Sequence, residues 1–72
     1  MKLNEYWHHV ETLKKSNPYM RNGQAAYNVL SNLNPNLAEK VINYKIDPFY
    51  VHNVNDETYR RFVEFVNKNW ES

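Results

Sequence analysis

The sequence predicts an all-α fold, a small bundle of about four short helices with an apolar return loop before the last one. Three observations predict it. Apolar residues recur at three- and four-residue spacing in four separate stretches. Proline-containing breaks at Ser16-Asn17-Pro18, Asn34-Pro35 and Asp47-Pro48 divide those stretches from one another and from the loop, because the residue before a proline is pushed out of the helical region. The one run with strand character, Tyr50 to Val54, has no evident partner strand.

The first stretch runs from about Leu3 to Lys15. Leu3, Tyr6, Trp7, Val10 and Leu13 share one side of a helix, and Lys2, Glu5, His9, Glu11 and Lys15 face away. The second begins between Tyr19 and Gly23 and ends near Leu33, with Ala26, Val29, Leu30 and Leu33 on its apolar side. Gly23 costs up to ~1 kcal/mol inside a helix and less in a first turn, so it marks either a start or a tight crossing. Asn34-Pro35-Asn36-Leu37 is the clearest start signal in the chain. An asparagine cap precedes a proline whose missing donor would be orphaned there anyway. The third helix it opens is short, ending around Asn43 to Lys45. Its buried stripe is Leu37 and Val41, beside Ala38 and Ile42, with Tyr44 a further candidate.

From Ile46 to Asn55 the pattern changes. Asp47-Pro48 starts a turn, while Phe49, Tyr50, Val51 and Val54 are too apolar for a connector lying in water, so this loop is expected to fold back and bury at least one ring. The last stretch, Asp56 to about Trp70, carries Tyr59, Phe62, Val63, Val66 and Trp70 on one stripe flanked by Phe65, with Asn55 or Asp56 as cap. The expected core is Trp7, Val10, Leu30, Leu33, Leu37, Val41, Phe49, Phe62 and Val66, all within one domain spanning residues 1–72.

Composition narrows the function classes. The chain has 72 residues, no Cys and a formal net charge of +1. That excludes a disulfide framework or a cysteine-held metal, and it gives no strong field for a general polyanion binder. No run approaches the roughly 20 apolar residues of a membrane span, and the N-terminal residues lack a signal-peptide core, so a cytoplasmic setting with no membrane is expected. The twelve asparagines suit caps and turns better than helix interiors.

The run Arg21-Asn22-Gly23-Gln24-Ala25-Ala26-Tyr27-Asn28-Val29-Leu30, followed by Asn34-Pro35-Asn36-Leu37-Ala38-Glu39-Lys40 and then Asp47-Pro48-Phe49-Tyr50, resembles a pattern of small bacterial and phage helical proteins. The resemblance covers roughly Arg21 to Trp70. It implies a phage or mobile-element setting and a host-directed interaction, with no particular activity attached.

The residues that could carry chemistry do not assemble by spacing. His8 and His9 are adjacent on a helix and diverge, leaving His52 alone, so no metal or other cofactor is expected. Ser16, Ser31 and Ser72 lack the glycines of a nucleophile elbow, and a single glycine cannot make a phosphate-cradling loop. Asp47 has a local explanation in an Asx turn ahead of Pro48. Arg21 and Gln24 lie near a helix start, where they serve either an anion or an internal role, the latter with Asp47 as partner of Arg21 and Gln24 as a capping residue. Arg60 and Arg61, with Lys68, make a candidate basic face that Glu57 and Glu64 interrupt.

The aromatic content is the strongest functional signal. Six Tyr, three Phe and two Trp exceed what four short stripes bury, and Tyr50, Phe65 and Trp70 are expected to stay outside for a partner. The sequence therefore favours a non-enzymatic protein-interaction factor that binds another protein or self-associates into a homo-oligomer. A nucleic-acid-binding helical module is the alternative. Interaction candidates are Arg21, Gln24, Tyr50, Arg60, Arg61, Phe65 and Trp70.

Overall fold

Residues 2–70 are described by the computed structural model. Among them the chain forms four α-helices and no strand: α1 (Leu3–Ser16), α2 (Asn22–Leu33), α3 (Pro35–Asn43) and α4 (Glu57–Asn69). The radius of gyration is 11.0 Å, close to the ~11 Å expected of a folded chain this long.

The helix ends follow from local chemistry. At α1, Lys2 offers no acceptor, so only one half of a capping box forms, with the Glu5 carboxylate accepting the Lys2 N–H at 3.2 Å. Asn34 caps α3 by accepting the Leu37 N–H at 3.3 Å with Pro35 at the first helical position, as its sequence requires. Asp56 caps α4 through the Thr58 N–H at 2.8 Å, and Glu57 adds negative charge in the first turn. α3 closes in a Schellman arrangement. The Ile46 N–H donates to Val41 O at 3.2 Å and the Lys45 N–H to Ile42 O at 3.0 Å. Lys45 supplies the required positive φ of 60°.

Consecutive helices pack in chain order, α1 on α2, α2 on α3 and α3 on α4. The core they enclose is Tyr6, Val10, Ala25, Ala26, Val29, Leu30, Leu37, Ala38, Val41, Tyr59, Phe62 and Val66. Ala25 and Ala26 are fully buried. Tyr6 is fully buried and donates its hydroxyl to the Ala26 carbonyl at 2.7 Å, so its polar tip is satisfied inside. Aromatic side chains join α1 to α4. The Tyr6 ring lies 5.2 Å from Trp70, and Trp7 meets Phe62 edge-on at 6.5 Å.

Three expected core residues are corrected. Leu33, the last residue of α2, is exposed, because the stripe runs out at the helix end and its side chain borders an open hollow with Leu13 and Val29. Trp7 is half-buried, since its indole N–H donates to the exposed Asn67 Oδ1 at 2.9 Å and the ring must reach the surface to do so. Phe49 is also only half-buried. The loop does fold back, but the residue it inserts is Pro48, which is among the most completely buried side chains.

That loop is held by the start of α2. The Gly23 N–H, one of the donors a helix N-terminus leaves without an intrahelical partner, donates to Val51 O at 2.9 Å. Arg21 Nε donates to Phe49 O at 3.0 Å, and the Asn22 side-chain amide donates to His52 O. Within the loop, Asp47 Oδ1 accepts the Phe49 N–H at 3.0 Å in the expected Asx turn. The Val51 N–H closes on Pro48 O at 2.8 Å.

Candidate interaction surface

Where α3 ends, the Schellman turn throws Tyr44 and Ile46 to the side of α4. Tyr44 stands edge-on to Phe65 with ring centroids 5.2 Å apart. Tyr44 remains 64% exposed, so the pair presents aromatic surface outward instead of closing the core. Together with Ile46 the two rings line an open hollow of about 450 Å³ whose polar edge is Arg61, Glu64 and Lys68. An apolar floor with a mixed-charge rim is the anatomy of a protein contact, where aromatic and arginine anchors dominate.

The remaining candidates fall into different places. Phe65 and Trp70, expected outside, are both half-buried: Phe65 by its pairing with Tyr44, Trp70 by packing on Tyr6. Tyr50 is 80% exposed, as expected. Gln24 is half-buried at the third position of α2, where a glutamine can cap, but its side chain makes no capping hydrogen bond. Arg21 makes no ion pair with Asp47. Its guanidinium lies 5.3 Å from the Phe49 ring centroid and 5.2 Å from that of Tyr50.

Arg60 and Arg61 do not form a basic face. Arg61 is paired with Glu57 at 2.7 Å on an exposed surface, and Arg60 borders a shallow depression shared with Glu57, Arg61 and Glu64. Interleaved acids of this kind cancel the field that phosphate binding needs. The histidine rings of His8 and His9 are exposed with centroids 6.5 Å apart. Among the described residues no group of three or more His, Cys, Asp or Glu could hold a metal ion, and no helix is long and apolar enough to cross a membrane. Ser72 lies outside the described residues.

Three phenols, Tyr6, Tyr27 and Tyr59, have their ionisation raised above the ordinary value. Burial raises the Tyr6 hydroxyl above the ordinary phenol range, with neighbouring Tyr59 adding to the effect, and burial raises Tyr59 as well. Tyr27 is raised by burial and then by the negative charge of Asp47. None of these phenols lines the hollow beside α4.

Two residues of this surface escaped the sequence reading. By spacing, Tyr44 falls at the end of a stripe as a candidate for burial, and Ile46 is the first residue of the loop. The available signal was the position of Tyr44 after Asn43, where a helix ending at Asn43 would leave its ring beyond the buried face. No family model, no curated protein and no solved structure matches the chain.

Proposed function

We propose that this chain acts by binding another protein and catalyses no reaction, with the hollow between the end of α3 and α4 as its contact surface. One observation carries the reading: Tyr44 is held against Phe65 yet left mostly exposed, with Ile46 beside it and charges only at the rim. A ring fixed by a neighbour loses little side-chain freedom on binding, so its contact area counts almost fully towards affinity. The phage or mobile-element setting implied by the resemblance of Arg21 to Trp70 makes a host protein the proposed partner.

The test is to place a photo-crosslinking benzoylphenylalanine at Tyr44 and illuminate the chain in cell extract, with sedimentation run in parallel. The expected result is one discrete adduct to a different protein, lost when Phe65→Glu puts a charge in the floor. Illumination giving no adduct overturns the reading. So does an adduct only to a second copy, matched by a dimer in sedimentation, which makes the surface a self-association face.

A further inference from the structure

Arg21 is fixed on three sides. Its Nε donates to Phe49 O at 3.0 Å, and its guanidinium carbon lies 5.3 Å from the Phe49 ring centroid and 5.2 Å from that of Tyr50. Such an arrangement leaves the two terminal nitrogens as a positioned fork. Among the described residues the only ion pair is Arg61 with Glu57, so the Arg21 charge has no carboxylate to neutralise it. The acid nearest in sequence to its contacts, Asp47, holds the Phe49 N–H instead. One wall of the arrangement, the Tyr50 ring, stands 80% exposed in solvent.

We infer that Arg21, flanked by Phe49 and Tyr50, is a binding site for a carboxylate presented by a protein partner. The inference stands apart from the hollow beside α4, since it shares no residue with it. A planar fork of two N–H groups matches the two oxygens of a carboxylate, and a single positive charge matches its single negative one. A phosphate, with nearly two charges, is ordinarily met by a cluster of cations, whereas the groups against Arg21 are aromatic. The adjacent rings lower the local polarity and strengthen the pairing beyond that of an open surface arginine. Tyr50 also offers the bound segment an apolar face to lie on.

The experiment follows the Arg21 Nε–H signal by NMR during titration with three probes: acetyl-aspartate N-methylamide, acetyl-alanine and inorganic phosphate. The first carries a side-chain carboxylate and the second a chain-terminal one. Saturable shifts at Arg21 and the Tyr50 ring are expected with at least one carboxylate, and the stronger of the two identifies the source. The exposed Arg60 serves as the internal reference. Arg21→Gln should weaken binding by about tenfold or more, the equivalent of one charge-assisted hydrogen-bonded contact. Because that change also removes the bond to Phe49 O, Tyr50→Ala gives an independent check at an exposed ring, with the Gly23 amide signal reporting that the loop is still docked. Weakened binding in a docked Tyr50→Ala chain supports the site. Equal shifts at Arg21 and Arg60, unchanged affinity in Tyr50→Ala, or tighter binding of phosphate than of either carboxylate would each overturn it.

Discussion

A Cβ placed on Gly23 would lie 1.7 Å from the carbonyl oxygen of Pro48. The start of α2 and the return loop therefore approach each other more closely than any side chain permits, and two sequence features 25 positions apart belong to one tertiary contact. Two effects oppose each other in Gly23→Ala. Helix propensity alone favours alanine by up to ~1 kcal/mol. The overlap is with backbone on a buried proline, which cannot swing aside as a flexible side chain would, and forced repacking of this kind costs about 1–3 kcal/mol or more. The steric effect wins. Urea unfolding of Gly23→Ala should show a net loss of stability, with the largest amide shifts at Val51 and His52.

Lys45 is the opposite case, a residue whose backbone suits glycine better. It sits at φ 60° in the Schellman turn after α3, where a side chain costs roughly 1–2 kcal/mol that glycine avoids. Glycine in turn gives the unfolded chain more freedom, offsetting about 0.4–1 kcal/mol. Lys45→Gly is therefore expected to stabilise the chain by about 0.5–1 kcal/mol, and Lys45→Val to destabilise it, both measured by thermal and urea unfolding.

The helices were legible because each is marked by local chemistry. Asn34-Pro35 at the start of α3 and Asp56 at the start of α4 act within a few residues of themselves, and the structure uses them as caps. The apolar periodicity also located Val10, Leu30, Leu37, Val41, Phe62 and Val66 in the core. What spacing could not decide is competition between neighbours. Pro48 and Phe49 are both apolar, and it is Pro48, whose backbone lies against Gly23, that goes inside. Tyr44, a candidate for the buried stripe, stays outside for a related reason: the Schellman turn, reached here with a lysine instead of the usual glycine, reverses the chain before the stripe is complete. For Arg21 the sequence leaves an anion and an internal carboxylate both open, because the aromatic rings of Phe49 and Tyr50, 28 and 29 positions away, cannot be read from its own surroundings.

The buried phenol of Tyr6 makes stability depend on alkaline pH. Its ionisation is shifted upward by burial in the folded chain, while in the unfolded chain it titrates near the ordinary value of 10.0. Below that pH both states hold the proton and the contribution is fully present. Above it the unfolded state loses the proton first, so stability falls by roughly 1.4 kcal/mol per pH unit for this group. Tyr59, also shifted upward by burial, acts in the same direction. Tyr6→Phe should lose about 0.5–1.5 kcal/mol at neutral pH, where the bond to Ala26 O is missing. The same variant should show a shallower decline between pH 10 and 12 than the parent chain in urea unfolding followed by circular dichroism. An identical slope for both chains would mean that Tyr6 ionises as readily folded as unfolded.

Phe62 and Phe49 separate core from surface most directly. Phe62 is fully buried in the core with Trp7 and Tyr59 beside its ring, so Phe62→Ala should cost about 3–5 kcal/mol. In a chain of 72 residues that loss is a large share of the total stability. Phe49 is half-buried, touching Tyr27 at 6.2 Å and Tyr50 at 5.1 Å between centroids, and its loop remains anchored by Pro48 and the Gly23 bond. Removing its ring exposes no deep cavity. Phe49→Ala is accordingly expected to cost only about 1–2 kcal/mol, within the range of partial burial. Equal losses for the two variants in urea unfolding would place the Phe49 ring inside the core and make it, with Pro48, the wedge that holds the loop.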